Sequence, residues 1–199
     1  MNVKFIISTI IILAFATVTQ AATQVSLSST SHNINVGDSF SVDLQISASV
    51  DSINVVDGVI TFDPNVLEVE KVMEDSSIVS LWAKPITFDN KSGQINFVGG
   101  IKNGYLGQNG KIAEFVFKAK QNEVATSGTT TSTTIIDFKD SFAVYKNDGK
   151  GTSINPWLQP LQILISPVSE VGHGNSYILI SLLVLIVLIF ILKKYAKYK

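Results

Sequence analysis

Short bursts of alternating apolar and polar residues are the feature that most restricts how this chain can fold. In Phe40–Ile46, FSVDLQI, the apolar residues share one face of an extended strand and the polar residues share the other. The segment IAEFVFKAK repeats the pattern and places Phe115 and Phe117 together. Gly, Asn, Asp and Pro bound the bursts, as in antiparallel sheets that bury one face. The body of the chain is therefore predicted to be an all-β sandwich.

The pattern predicts ten strands and leaves no segment for a helix longer than a turn or two. The segment Val79–Lys84 has no clear pattern of alternation. Turns are predicted at Asp63–Asn65, Asn90–Gly93 and Asn147–Gly151, because these segments are rich in Pro, Asn, Asp and Gly. The last residue of the second turn, a glycine, is expected at positive φ. The predicted strands are Gln24–Ser28, Ser39–Ala48, Gly58–Phe62, Leu67–Val72, Ile86–Phe88, Gln94–Gly99, Lys111–Ala119, Thr133–Phe138, Ser141–Tyr145 and Leu161–Ile165.

The N-terminal end is predicted to be a signal peptide, residues 1–21. Lys4 precedes an apolar run, and the small residues Ala21 and Ala22 follow it, which is the order of a secretory signal. The alternative is a retained membrane helix, but the apolar core of about 14 residues is shorter than the 17 to 25 that span a bilayer. We expect cleavage after Ala21 or Ala22 and export of the body.

The C-terminal end is predicted to be a single transmembrane helix, residues 177–192. It reads YILISLLVLIVLIFIL and is followed by the basic tail 193–199, which favours a cytoplasmic tail and an outer body. Residues 166–176, with Pro167, Gly172 and Gly174, are predicted to form a short stalk. A similar end occurs in cell-wall sorting signals, but no L-P-x-T-G motif precedes this helix. The expected topology is single-pass type I at the cell surface.

The region between these ends, residues 22–165, is long enough for one domain with a substantial core. All 16 acidic residues and ten of the lysines lie in this region and the stalk, residues 22–176, which together carry a net charge of about −6. The chain has no arginine, so a nucleic-acid partner is not expected. It also has no cysteine, so the core must form without disulfides.

Residues for catalysis or metal binding are few. The two histidines, His32 and His173, fall near a predicted turn and in the stalk, where neither would be held as a catalytic base. Glu68 and Glu70 share a strand face and could form a glycosidase pair, but an outer solvated face explains them. Calcium at Asn147–Gly149 is conceivable, but a turn accounts for those residues. We predict no enzyme activity, no metal site and no cofactor.

Five segments together resemble cohesin domains, the modules that bind dockerins in cellulosomes and related surface assemblies. The resemblance implies a jelly-roll sandwich of about nine strands and a dockerin-like protein partner. The same superfamily includes cellulose-binding modules, so it also implies a polysaccharide as the alternative partner. The segments are VGDSFSVDLQIS, GVITFDPNVLEVEKV, GQINFVGG, GKIAEFVFKAK and SFAVYKNDGKGT.

One residue of the family's binding face can be placed on this chain. In the cohesins that it resembles, the strand before the Asp-Pro turn carries an Asn and, two residues later, an Asp. Aligning on FDPNVLE puts Val55 at the Asn position and Asp57 at the Asp position, so half of the pair is present. The resemblance implies that Asp57 binds a partner. The alternative is that Asp57 caps a turn at Val56–Gly58.

Three aromatic residues in or near predicted loops are candidates for a sugar platform: Trp82, Trp157 and Tyr105. The alternative for each is a place in the core or at its rim, where tryptophan is usually found. Asn90-Lys91-Ser92 also matches the N-glycosylation pattern. Three functions therefore remain: a surface receptor for a dockerin-like protein, plausibly in polysaccharide degradation or surface assembly, a polysaccharide-binding module, and a structural surface protein.

Overall fold

The computed structural model describes residues 23–120 and 131–167, where the chain forms eleven β-strands and no helix. In these ranges there is accordingly no helix long and apolar enough to cross a membrane. The predicted signal peptide, transmembrane helix and basic tail, and residues 168–176 of the stalk, lie outside the described residues. The strands are β1 Gln24–Ser28, β2 Asn33–Asn35, β3 Ser39–Thr61, β4 Leu67–Met73, β5 Leu81–Asp89, β6 Gln94–Ala119, β7 Ser132–Phe138, β8 Ala143–Lys146, β9 Ser153–Ile154, β10 Trp157–Gln159 and β11 Leu161–Ser166.

Two long bent strands, β3 with 23 residues and β6 with 26, form the centre of the fold. They pair antiparallel along most of their length, and their register shifts at four places between Leu44 and Val55. Such bulges bend a strand and increase its twist. The prediction of two separate strands in each of these segments was wrong, because the backbone pairing continues through the bend although the side-chain alternation breaks there.

The bend divides the strands between two sheets. The rear sheet has the order β10-β1-β3-β6-β4 and uses the first half of β3 and the second half of β6. The front sheet has the order β5-β6-β3-β8-β9 and uses the other two halves. From the end of β3 it continues through β7 to β11 and β2.

The predicted all-β sandwich is confirmed. The expected number of about nine strands was too low, because β2, β9 and β10 have only two or three residues each and are too short for alternation to show.

One hydrophobic core collects the inward side chains of both sheets. Phe97 of the front sheet and Phe115 and Phe117 of the rear sheet are almost fully buried. The ring of Phe62, just after β3, meets the ring of Phe117 edge to face at 5.3 Å. This contact joins the end of the front sheet to the rear sheet, and edge-to-face packing is a favourable arrangement for aromatic pairs.

The predicted hairpin between β5 and β6 is confirmed, with Gly93 at φ +65°. Within it, Asn90 binds the backbone of β4: its Oδ1 accepts from the Val69 amide at 2.8 Å, and its Nδ2 donates to the Val69 carbonyl at 2.9 Å. The side chain thus replaces a strand neighbour at a sheet edge. The Asn90 nitrogen that glycosylation would modify is used in this contact.

β5 is longer than predicted and includes part of the segment without a clear pattern. Its register against β6 shifts on both sides of Lys84, and Pro85 lies within the second shift, between Lys84 and Thr87. Proline belongs on edge strands because it donates no ladder hydrogen bond. The register shifts break the apolar–polar alternation, so the full strand was not predicted from the sequence. β5 nevertheless pairs with β6 and forms the edge of the front sheet.

Candidate partner-binding face

The outward side of β5, β6, β3 and β8, which we call the front face, holds the residue that the family resemblance singled out. Along β3, Val55, Asp57 and Val59 are partly exposed and alternate with buried residues. Asp57 lies in the middle of the strand and pairs with Val98 on β6 and Ala143 on β8. The alternative that Asp57 caps a turn is therefore wrong, because the chain is extended here.

An apolar row crosses all four strands of the front face. The register aligns Leu81, Gly100, Val55 and Tyr145, one residue from each strand. Leu81 is 68% exposed. Gly100 leaves a gap in the row, since a Cβ added there would meet only the Leu81 carbonyl oxygen, at 3.6 Å, and Cβ, at 4.0 Å. Val55 and Tyr145 are partly exposed, so together with Leu81 they form a stretch of apolar surface of the kind that interaction sites present.

The next row carries two opposite charges. It aligns Lys84, Val98, Asp57 and Ala143, so Val98 stands between the lysine and the carboxylate. The two charged residues are two strands apart, about 10 Å at the usual strand spacing. None of the four ion pairs among the described residues includes Lys84 or Asp57. Within the described residues, neither charge is neutralised by an ion pair.

Polar residues occupy the far end of the front face. One row contains the polar Thr87 and Asn96 beside Val59, and the last contains Asp89, Gln94 and Thr61. The Asp89 carboxylate accepts hydrogen bonds from the Lys91 amide and the Ser92 hydroxyl, both at 2.8 Å, and these bonds lower the pKa of Asp89. The face thus changes from apolar to polar along its strands.

A shallow groove of about 410 Å³ adjoins the apolar row at Tyr145. Its other lining residues are Asn54, Val55, Lys146, Gly149 and Gly151. The predicted turn beside it is held by Asp148, whose Oδ2 accepts from the Thr152 hydroxyl at 2.6 Å and whose Oδ1 accepts from the Lys150 amide at 2.8 Å. These bonds, and that of Thr152 most of all, lower the pKa of Asp148.

In the described part of the chain no three metal-binding side chains lie close enough to hold an ion.

Two of the three proposed sugar-platform residues are packed against the fold. Trp82 meets the ring of Phe97 edge to face at 6.2 Å, and its Nε1 donates to Glu74 Oε2 at 2.7 Å. Tyr105 lies at the bend of β6, where its hydroxyl donates to the Gln108 carbonyl at 2.8 Å and its ring covers Gly110. Both are half-buried, so neither presents a free aromatic face.

Trp157 is the exception, since 65% of its surface is exposed. It lies on β10, at the edge of the rear sheet, and pairs with Gln24 of β1. The structure thus puts Trp157 in a different sheet from Trp82 and Asp57. The three aromatic candidates do not form one platform.

The residues considered for catalysis have structural contacts instead. Glu70 accepts a hydrogen bond from the Ser39 hydroxyl at 2.7 Å and faces the Lys118 ammonium at 3.5 Å. Glu68 pairs with Lys118 in the ladder. His32 is exposed, and its Nδ1 lies 3.4 Å from the Gln162 carbonyl oxygen. His173 lies outside the described residues.

Sequence reasoning identified Asp57 but missed its neighbours Leu81, Lys84, Gly100 and Tyr145. The signal that could have found Gly100 is its position inside a strand, where glycine often marks a place of close approach. Tyr145 alternates with buried Val144 in FAVYK, which indicates an outward side chain. Leu81 and Lys84 carried no such signal because β5 is irregular.

Comparison with solved structures shows that this fold is known. The chain is similar to a chain of a type I cohesin–dockerin complex from Clostridium thermocellum, with a TM-score of 0.60 and 19% identity, over 74% of this chain and 97% of the other. It is similar to a non-cellulosomal cohesin from the archaeon Archaeoglobus fulgidus, with a TM-score of 0.57 and 19% identity, over 77% and 97%. A cohesin module from a Clostridium perfringens family 33 glycoside hydrolase gives a TM-score of 0.57 and 8% identity, over 74% and 98%.

At these identities the structural likeness shows the fold alone. A comparison with curated proteins found no match. The cohesin domain model, however, matches residues 23–154, about two thirds of the chain and nearly all of its strands. The resemblance predicted from the five sequence segments is thereby confirmed, and the chain belongs to the cohesin domain family.

Proposed function

We propose that this protein is a receptor that captures a dockerin-like partner protein through its front face. Membership in the cohesin domain family is the observation that carries the proposal. Similar folds occur in cohesin–dockerin complexes from Clostridium thermocellum.

The geometry of the front face supports the proposal. The apolar row at Leu81 and Tyr145 supplies side chains that an interface can bury, and the gap at Gly100 admits a side chain from the partner. Binding energy usually concentrates in a few such anchors at the centre of an interface. Lys84 and Asp57 would then fix the orientation of the bound partner, because charges across an interface determine which partner binds and in which register more than they increase affinity.

We further propose that the receptor is held at the outer cell surface. The support is the sequence of the two ends: a signal-like segment at 1–21, and an apolar run at 177–192 with a basic tail. A short stalk would keep the domain close to the membrane. A receptor in this place would retain a secreted partner, such as a polysaccharide-degrading enzyme, beside the cell.

The variant Gly100→Arg tests the front face. An arginine side chain would fill the gap in the apolar row and block the partner, while the open space around Gly100 lets the fold tolerate a Cβ. Ser28→Arg is the matched control, because it adds the same side chain at an exposed position of the rear sheet. The full-length protein and both variants would be titrated against dockerin-bearing proteins of the same organism.

We expect Gly100→Arg to weaken binding at least about a hundredfold, which is the loss of an interface hot spot of roughly 2–3 kcal/mol. Ser28→Arg should bind like the parent protein. If Gly100→Arg binds as tightly as Ser28→Arg, the partner uses another surface. If none of the dockerin-bearing proteins binds the parent chain, the receptor function is wrong.

A further inference from the structure

A second candidate binding surface lies on the outward side of the rear sheet, at the edge strand β10. Two register rows form it. The first aligns Trp157, Gln24 and Ser47, and the second aligns Gln159, Ser26 and Gln45. The intervening residues Val25 and Ile46 are buried, so all six side chains share the outward face. We call these six residues the glutamine strip.

Trp157 is the most unusual member of the strip. Tryptophan is highly buried on average, yet this side chain is 65% exposed on a regular strand. Its ring is large and rigid, and exposing it to water has a cost that a bound ligand would remove. An exposed aromatic face next to hydrogen-bonding groups is the arrangement that stacks on the C–H face of a sugar ring.

The glutamines supply hydrogen-bonding groups around the ring. Gln24 Nε2 donates to Gln159 Oε1 at 2.6 Å, which fixes both side chains against the sheet. Each amide still has unused capacity, since an amide offers two donors and an acceptor oxygen. The hydroxyls of Ser26 and Ser47 lie in the same two rows. Amides and hydroxyls held in place are suited to bind the hydroxyl groups of a sugar.

The charge of the strip decides between classes of ligand. None of its six residues is charged. The nearest charge in the second row is Lys111, which pairs with Gln45 in the ladder. Its ammonium lies 2.6 Å from Glu114 and 3.0 Å from Asp43, so these carboxylates neutralise it. An uncharged strip complements a neutral ligand and offers little to an acidic polymer. A protein interface usually buries several neighbouring apolar side chains, and the strip has only one, that of Trp157.

From this arrangement we infer that the glutamine strip binds a neutral polysaccharide, with Trp157 stacked on a sugar ring and Gln24 and Gln159 bonded to its hydroxyls. The three strands span about 10 Å between the outer two, which suits a short stretch of an extended glycan chain. The site is separate from the front face, so the protein would bind a partner protein on one sheet and a polysaccharide on the other. This inference stands without the proposed receptor function.

The test is a fluorescence titration of the full-length protein with neutral oligosaccharides: cellohexaose, chitohexaose and mannohexaose. The chain has two tryptophans, and Trp82 is packed against Phe97, so a ligand that covers Trp157 should shift the emission to shorter wavelength. An oligogalacturonate serves as the acidic probe. Retention on the corresponding insoluble polysaccharides is the second readout.

We expect at least one neutral oligosaccharide to bind. Trp157→Ala, measured by retention on the insoluble polysaccharide because it lacks the reporting ring, should then weaken binding about tenfold or more, as for an aromatic hot spot. Gln159→Ala, measured by both readouts, should weaken binding several-fold. Ile135→Ala is the control: it removes a 51% exposed apolar side chain from β7 and should change binding less than about twofold. Thermal unfolding of Trp157→Ala should match that of the parent protein, because the side chain is exposed.

The inference is overturned if no neutral oligosaccharide binds, if binding survives Trp157→Ala, or if oligogalacturonate binds more tightly than the neutral probes. Loss of a protein partner on Trp157→Ala would also overturn it, since the strip would then be a protein surface. Gly100→Arg separates the two functions. It should leave sugar binding intact, so failure of one function does not imply failure of the other.

Discussion

At the scale of single residues, two glycines on neighbouring strands show how position decides what a glycine does. Gly58 on β3 points into the core, where an added Cβ would lie 2.5 Å from Cε2 of Phe142 and 2.6 Å from Cζ of Phe97. Gly100 on β6 points outward into the gap of the front face. Both have backbone angles that other residues adopt, so only the surroundings distinguish them.

Gly58→Ala is therefore expected to lower the free energy of unfolding by about 1–3 kcal/mol, because the new methyl group overpacks the two phenylalanine rings. Gly100→Ala should change it by less than about 0.5 kcal/mol, as for an ordinary surface substitution. Urea unfolding followed by fluorescence measures both. Equal losses for the two variants would show that backbone freedom, and not packing, explains Gly58.

At the scale of elements, a charge cluster ties β3 to β6 on the outward side of the rear sheet. The Lys111 ammonium donates to Glu114 at 2.6 Å and forms an ion pair with Asp43 at 3.0 Å, the latter outside hydrogen-bond geometry. The bond to Lys111, with a smaller effect of the Ser41 hydroxyl, lowers the pKa of Glu114. The same bond raises the pKa of Lys111. The cluster holds the two long strands together just beyond their bend.

The sign of the shift fixes how the cluster responds to pH. Since the pKa of Glu114 is lower in the folded than in the unfolded protein, its stabilisation is present above the unfolded-state pKa and is lost as pH falls through the folded-state pKa. We expect Glu114→Gln to lower the melting temperature at pH 7, and this difference from the parent to disappear under strongly acidic conditions. Asp140→Asn, at an exposed position outside the cluster, is the control. A difference that is constant with pH would contradict the role of the ion pair.

At the scale of the whole molecule, the sandwich presents two outward faces with different chemistry. The front face carries an apolar row, a lysine and a carboxylate, and the glutamine strip of the rear sheet is uncharged. Because one core lies between the sheets, the two ligands that we propose would not compete for space. If both proposals hold, the protein could bind a partner protein and a polysaccharide at the same time.

The full-length chain is predicted to be anchored at the cell surface by its C-terminal residues 177–199. Cells expressing the full-length protein should retain it in the membrane fraction, exposed to external protease. Deletion of residues 177–199 should release it into the medium, because the apolar run would no longer be available to hold it. The sandwich should fold in both forms, which circular dichroism would verify. Release of the full-length protein, or retention of the deleted form, would contradict the proposed anchor.

Local patterns in the sequence were enough to predict which residues of most strands face the core, the hairpin at Gly93 and the family. The first two follow from a period of two along one strand and from turn chemistry, and the family follows from the five sequence segments. All of these signals are local in the chain. Two arrangements could be seen only in the fold: the row of Leu81, Gly100, Val55 and Tyr145, and the position of Gln24 beside Trp157. Such rows depend on the register between strands far apart in the chain, and bulges in β3 and β6 set that register. A bulge breaks the side-chain alternation although the backbone pairing continues, so in the sequence it looks the same as the end of a strand.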